Sequence, residues 1–250
     1  MNYGYSRDGH RIALGEEDEL NRYSAQLYDL VATGVDLEGK DVLEVGFGRG
    51  GGISYISRYL SPGSTTAVDL NKKAIEFCRK HYRTQKTTFL QANAQDLGFE
   101  DDTFDVVVNV ESSHRYSEMR GFLSEVRRVL KPGGHFLFAD FRSRARLEQL
   151  ETDLEGSGLE SVKAEDITGD VVEALTVAST SREALIQRMV PKFLHDLARN
   201  FAATEGSPTY KKFSAREFRY VFHVLRKPSP EWFAVPGTDY SDFSSAIANE

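Results

Sequence analysis

Cysteine is almost absent from this 250-residue chain, which holds only Cys78. One thiol excludes an intramolecular disulfide framework and any zinc site built from several cysteines. No apolar run approaches the ~18 residues that a membrane span needs, so no span is expected. Positive charge is not in excess either: 31 Lys and Arg stand against 38 Asp and Glu, a net charge of -7. A dedicated nucleic-acid binder presents a basic face, so no nucleic-acid partner is expected. The opening stretch MNYGYSRDGHRIALGEEDE is polar and lacks the apolar core of a signal peptide, and a cytoplasmic location is expected. No repeat with a period of roughly 20–50 residues is visible. No cluster has metal-ligand spacing, since His114 and Glu111 alone are too few ligands, and no metal is expected. The rest is ordinary for a globular chain, with 40% hydrophobic and 28% charged residues, and suits one large domain or a domain with a lid.

What is present is an alternation of strand and helix patterns. Residues 41–46 (DVLEVG), 65–69 (TTAVD), 87–93 (TTFLQAN), 104–110 (FDVVVNV) and 135–141 (HFLFADF) read as strands. Residues 52–60, 71–83 and 118–130 have helical spacing, the last stopped by Lys131-Pro132-Gly133-Gly134. Strands separated by helices and joined by short loops imply an α/β fold, a mostly parallel sheet with helices on both faces. The near-continuous Val, Phe and Leu runs fit strands buried on both sides. Beyond residue 141 come a polar helix (143–155), a sixth strand (159–167), a helical stretch interrupted at Pro191 (168–204) and an alternating last strand (217–227). A second helical candidate, 16–33, lies outside the sheet. The expected organisation is an N-terminal helical cap (1–35), a core (36–167), a helical lid insertion (168–216), the last core strand (217–227) and a peripheral arm (228–250).

The first strand breaks into Glu44-Val45-Gly46-Phe47-Gly48-Arg49-Gly50-Gly51-Gly52. Glycines let the chain turn sharply and let a ligand touch the backbone, and the helix that follows offers free N–H groups. Read as G-x-G-x-x-G through Gly46, Gly48 and Gly51, the loop fits a dinucleotide fingerprint, with Asp69 near the required spacing of about 20 residues. Read as E-x-G-x-G-x-G through Glu44, Gly46, Gly48 and Gly50, it fits a loop for S-adenosylmethionine (SAM). Glu44 favours the second: a carboxylate there can face an ammonium group, and a pyrophosphate gains nothing from it. Asn93-Ala94-Gln95-Asp96 follows the third strand, where an adenine would be gripped. No second mononucleotide-binding half is apparent, as a full dinucleotide fold requires.

The stretch from about residue 36 to 142 resembles a class I SAM-dependent methyltransferase, carried by VLEVGFGRG, AVDLN, NAQDLGF, FDVVVNV and RVLKPGGHF in order. The narrower resemblance is to bacterial lipid and polyketide O-methyltransferases, a group that includes the mycobacterial phthiotriol and phenolphthiotriol dimycocerosate enzymes. VDLEGKDVLEVGFGRGGGISY, NVESSHRY and FADFR carry it. The resemblance implies a seven-stranded Rossmann-like sheet, SAM as methyl donor with S-adenosylhomocysteine as product, and a small apolar hydroxylated acceptor of polyketide or lipid type. Two positions depart from the pattern. Phe47 replaces a cysteine or other small residue, and Asn93 stands where an aspartate usually bonds the adenine amino group; its carbonyl oxygen can still accept.

In that frame Asp69 is expected at the ribose hydroxyls with Leu70 beside it, Asn71 being better placed to cap the next helix. Asn93, Ala94 and Gln95 are expected at the adenine. Asn109 would offer its backbone carbonyl to the methionine ammonium, or be a plain strand-end residue. Tyr23 is the N-terminal residue expected at the cofactor, unless the tyrosines there form only a packing stripe. His114 lies just past the fourth strand, at the carboxyl edge where ligands bind. A neutral imidazole suits proton removal from an alcohol, and the resemblance places a histidine at that E-x-S-H position, so His114 is the candidate general base. Glu111 is expected to bond substrate, orient His114 or support the methionine end. Asp140 either orients a histidine or hydroxyl or caps a loop. His195 is a lid histidine able to reach the pocket, and His223 is read as structural. Phe193, Leu194, Leu197 and Phe201 form one face of a lid helix, turned to core or pocket. The expected activity is O-methylation. C-methylation of an isoprenoid or quinone, methylation of a fatty-acid carboxylate and SAM binding without catalysis remain alternatives. The oligomeric state, monomer or dimer, is left open.

Overall fold

The structure, a computed structural model, describes residues 2–82 and 87–229. Its strands are β1 (Asp41–Val45), β2 (Ser64–Asp69), β3 (Thr87–Gln91), β4 (Phe104–Val110), β5 (Leu130–Ser143), β6 (Glu160–Asp166) and β7 (Phe218–Arg226). They form one sheet in the order β3-β2-β1-β4-β5-β7-β6. Pairings from β3 across to β5 are parallel, and β7 runs antiparallel between β5 and β6. This is the seven-stranded, mostly parallel Rossmann-like sheet expected.

Helices α1 (Arg22–Ala32), α2 (Gly51–Tyr59), α3 (Lys72–His81), α4 (Met119–Val129) and α5 (Arg144–Glu155) flank it. Between β6 and β7 stand α6 (Thr168–Met189), α7 (His195–Ala202) and α8 (Pro208–Ser214). Successive strand residues point to opposite faces, and that sorts the core into two layers. Val42, Val106 and Val108 pack with Leu27, Val31, Ile53 and Ile56 under α1 and α2. Leu43, Val45 and Val107 pack with Phe122, Leu123, Val126 and Leu150 under α4 and α5. Both faces are covered, so the central strands β1 and β4 are mostly apolar, and their buried polar residues, Glu44 and Asn109, fall toward the carboxyl ends.

Four local readings change. Lys131-Pro132-Gly133-Gly134 does not lie between the helix and the fifth strand but inside that strand: α4 ends at Val129 and β5 starts at Leu130. Gly133 N–H donates to Lys227 O at 2.9 Å and Lys227 N–H to Gly134 O at 2.8 Å, drawing the segment into the sheet. Proline is tolerated there because the β4–β5 register shifts between Phe104 and Val106, an irregularity of the kind that accepts it. The 16–33 candidate splits into a 3-10 helix, Glu16–Asn21, and α1. Asp18 takes Arg58 and the Tyr59 hydroxyl of α2, which seats the cap on the core. Helix α8, absent from the sequence reading, starts at Ser207, whose Oγ accepts from Tyr210 N–H, with Pro208 in its first turn, a strong start signal. Finally, β7 alternates in sequence but is buried on both faces, because it lies inside the sheet. Of the arm 228–250, residues 230–250 lie outside the described residues.

Candidate functional site

The carboxyl ends of β1, β2, β4 and β5 meet where the strand order reverses around β1, the place where open α/β sheets bind ligands. Gly46, Gly48 and Gly50 all have positive φ (80°, 57° and 75°), conformations that side chains disfavour. A Cβ on Gly46 would lie 2.3 Å from Ser112 Oγ, whereas one on Gly48 would meet nothing within 4 Å. The loop is thus closed beneath Gly46 and open above Gly48. Asp69 accepts from Gly48 N–H and Asn71 N–H, both at 2.8 Å, bridging the loop to the end of β2. Asn71, not Asp69, caps α3 by accepting from Lys73 N–H. Leu70 stands exposed beside it. Asn93 Oδ1 accepts from Gln95 N–H at 3.1 Å, Ala94 is buried, and Gln95 donates to Ser117 Oγ at 3.3 Å.

Glu44 is fully buried. Its Oε1 accepts from the Tyr28 hydroxyl at 2.6 Å, and Oε2 has no partner among the described residues. Burial pushes its carboxyl up to about 7, although the Tyr28 hydroxyl and the Ile53 N–H both favour the ionised form. Tyr28, rather than Tyr23 of the same helix, reaches this carboxylate. Tyr23 sits half-buried where the chain enters, and its carbonyl accepts from Tyr5 N–H. Helix α2 approaches so closely that a Cβ on Gly52 would fall 1.9 Å from the Tyr28 ring.

Asn109 lies on the opposite face of the sheet. Its buried amide donates to Val45 O at 2.9 Å and Ser112 Oγ at 2.7 Å and touches Tyr116 Oη at 3.1 Å, pinning the segment after β4 to the end of β1. Its Oδ1 has no partner among the described residues.

His114 follows in a 3-10 turn, Ser113–Arg115. Its Nδ1 lies 2.8 Å from Asp140 Oδ1 and its backbone N–H donates to Asp140 Oδ2 at 3.0 Å. Adjacent parallel strands bring the two together, since Val110 pairs with Ala139. Asp140 has no exposed surface and also accepts from Ser113 Oγ and Phe141 N–H, beside Arg142. Burial alone would raise its carboxyl, but the His114 hydrogen bond and the Arg142 charge outweigh it and hold it below the ordinary range. An ionised Asp140 only accepts, so Nδ1 carries a proton, and it is in the neutral imidazole that Nε2 presents a lone pair.

Nε2 is the ring nitrogen not engaged by Asp140. His114, Glu111, Arg115, Asn2, Tyr3, Phe141, Phe201 and Ala202 line a cavity of about 70 Å³. Glu111 holds a left-handed backbone, φ 47°, a costly conformation for a side-chain-bearing residue. Its Oε1 accepts from Tyr3 N–H at 2.7 Å and the Tyr220 hydroxyl at 3.0 Å, and burial pushes its carboxyl up to about 7. The Tyr3 arm is tied down in turn: buried Arg182 of α6 donates to Tyr3 O at 2.9 Å and Ala202 O at 2.8 Å. N-terminal arm and lid therefore close the cavity from above.

His195 does not join this group. Its Nε2 bonds Val190 O at 2.8 Å, holding the lid's own turn. His223 is half-buried in β7, and desolvation alone brings its imidazole down to about 4. Phe193, Leu194 and Leu197 face solvent, and of that stripe only Phe201 touches the cavity. Ser113, Arg142, Arg182 and Tyr220 carry no signal of a site in the sequence, whereas Tyr3 and Tyr28 belong to the N-terminal tyrosine group, with Tyr5, from which Tyr23 is the expected cofactor contact. Among the described residues, no three His, Cys, Asp or Glu side chains are grouped to hold a metal, and no helix is long and apolar enough to cross a membrane.

Residues 43–138 match the family model described as a methyltransferase domain. A fatty-acid O-methyltransferase of Mycolicibacterium smegmatis is 40% identical over 92% of this chain and 83% of its own length. A phthiotriol/phenolphthiotriol dimycocerosates methyltransferase of Mycobacterium tuberculosis is 38% identical over 91% of this chain and 84% of its own. In fold, the chain superposes on a geranyl diphosphate C-methyltransferase of Streptomyces coelicolor A3(2) with a TM-score of 0.65, at 17% identity, covering 91% of this chain and 89% of that one. With the relatives aligned along nearly their whole length and the sheet topology in agreement, the chain belongs to the class I SAM-dependent methyltransferases, and is an enzyme of that family.

Proposed function

We propose that the protein transfers the methyl group of SAM to a hydroxyl or enol oxygen of an apolar, lipid-like or polyketide-like molecule, with His114 as general base. The observation that carries this is the His114–Asp140 pair, with His114 lining a cavity shared with Glu111. The donor supplies a methyl already activated on a positively charged sulfur. Its fit rests on the glycine cradle, open above Gly48, and on the buried Glu44 oxygen that lacks a partner among the described residues. A buried acceptor of this kind asks for a donor, and a ligand ammonium supplies one. Asp69 and Leu70 would hold the ribose end, Asn93, Ala94 and Gln95 the adenine, Asn109 the methionine end, and Tyr23 would close over it from the cap.

On the acceptor side, Nε2 takes the hydroxyl proton as the methyl–oxygen bond forms and the sulfur–methyl bond breaks. The imidazolium that results lies against ionised Asp140. Most of the rate comes from alignment in a closed, dry site, and proton removal adds ~10²–10⁴-fold. His114→Ala is expected to bind S-adenosylhomocysteine normally and to lose turnover by that factor; unchanged turnover removes His114 from the mechanism.

One observation favours a second reading. Arg115 lines the same cavity and suits a carboxylate acceptor, which is already ionised and needs no base; the Mycolicibacterium relative is named a fatty-acid O-methyltransferase. SAM with a deuterated methyl group, offered with hydroxylated polyketides, long-chain fatty acids and prenylated quinones, separates the readings. Label on an alcohol or enol oxygen supports the proposal. Label on a carboxylate supports the second reading, and label on carbon overturns both.

A further inference from the structure

The lid carries an apolar face that no described part of the chain covers. Met189 ends α6, and Phe193, Leu197 and Phe201 follow at four-residue spacing through the 3-10 turn Lys192–Leu194 and α7. Their exposures are 74%, 86%, 66% and 66%, and α7 buries no residue at all. An amphipathic helix normally seats its apolar stripe on a core, and a continuous exposed stripe marks an interaction site.

The surroundings of the stripe say what it meets. From 188 to 202 the chain places Arg188, Lys192 and Arg199 against one acid, Asp196, in a protein whose net charge is -7. Arg199 is occupied by Glu183 and Asp196. Arg188 and Lys192 have no ion pair among the described residues. Lys192, His195 and Arg199 line an open cleft of about 510 Å³ together with Gln187 and Asp196. Apolar side chains flanked by unpaired cations match an anionic bilayer surface, with acyl chains below and phosphates at the rim. A second copy of this chain fits less well, because a two-fold contact opposes each patch to itself and brings like charges together. The stripe also continues into the site: Phe201 lines the cavity of His114 and Glu111.

We propose that this face of the lid docks on an anionic lipid bilayer. Phe193 and Leu197 enter the acyl boundary, Lys192 and Arg188 meet lipid phosphates, and an apolar acceptor reaches the cavity past Phe201 without crossing water. Docking stands on the surface alone, whereas delivery of the acceptor rests on the function proposed above.

The test is flotation of the full chain with phosphatidylcholine vesicles and with mixed phosphatidylcholine–phosphatidylglycerol vesicles. The expected result is binding to the mixed vesicles and at least about tenfold weaker binding to the neutral ones. Phe193→Ser with Leu197→Ser should weaken binding by about tenfold or more without lowering the melting temperature, since both residues face solvent. Lys192→Glu should weaken it most at low salt. No flotation of the full chain overturns the proposal, and so does equal flotation of the double variant. A dimer in sedimentation that the double variant abolishes overturns it too, assigning the face to a second copy. Flotation reads binding and not turnover, so failure here leaves the label experiment on the acceptor untouched, and the reverse holds.

Discussion

Glu44→Gln tests whether the glycine loop is a binding site for a cationic donor or merely a tight turn. Glu44 has no exposed surface, and burial lifts its carboxyl from 4.5 to about 7 in the folded protein. Because the folded value lies above the unfolded one, the folded chain holds a proton between those limits that the unfolded chain has released. Stability therefore falls as pH rises from about 4.5 to about 7 and is level above that. A difference of about 2.5 units corresponds to roughly 3 kcal/mol at order-of-magnitude precision. Glutamine keeps an acceptor for the Tyr28 hydroxyl but does not titrate. Thermal melts of both proteins without ligand, from pH 5 to pH 8, should show the wild type losing roughly 6–12 °C relative to the variant. Ligand binding should run the other way. Above pH 7 the ionised carboxylate has Tyr28 on Oε1 but, among the described residues, nothing on Oε2 until an ammonium arrives, so wild type should bind S-adenosylhomocysteine about 10–100-fold more tightly than the variant, in line with a charge-assisted hydrogen bond. Below pH 6 that advantage should shrink as binding has to displace the proton. Parallel melting curves together with equal affinity at pH 8 would refute both the electrostatics and the assigned partner.

Asp140→Asn should lower turnover by roughly 10²-fold or more, because Nδ1 loses its ionised acceptor and the imidazole its fixed tautomer; unaltered turnover in a deuterated-methyl assay counts against a positioning role. The same change leaves Arg142 as a buried cation without its partner, and the melt should show a loss of about 3–5 kcal/mol. Gly52→Ala should lower stability by about 1–3 kcal/mol, because the new methyl falls 1.9 Å from the Tyr28 ring and must displace it; a neutral result in denaturant titration contradicts the α1–α2 contact. Tyr28→Phe should cost about 1–3 kcal/mol by leaving Glu44 without a side-chain donor, and the cost should be greatest above pH 7, where Glu44 is ionised.

What could be read in the sequence is what the sheet imposes. Strands buried on both faces give unbroken runs such as Phe104–Val110, and parallel strands deliver their carboxyl ends, with Glu44, Asp69, Asn109, His114 and Asp140, to one edge. The contact between His114 and Asp140 was implicit in that order, because β4 and β5 are neighbours. Contacts made by elements that arrive from elsewhere leave no such mark. Tyr23 and Tyr28 belong to one amphipathic helix, and spacing alone does not tell which hydroxyl meets a buried carboxylate; the close approach at Gly52 does. Tyr3 reaches Glu111 through its main-chain N–H, a donor every residue but proline carries, across 108 positions. Periodicity placed Phe193, Leu197 and Phe201 on one face without saying what the face meets, since a stripe bound for the core and one bound for a surface share the same spacing. Only the folded chain, with no residue of α7 buried and Phe201 lining the cavity, separates the two. Under the function proposed above, the part that would recognise the acceptor is the part least constrained by the sheet, so acceptor choice would change through the arm and lid while the edge proposed to hold the donor stays as it is.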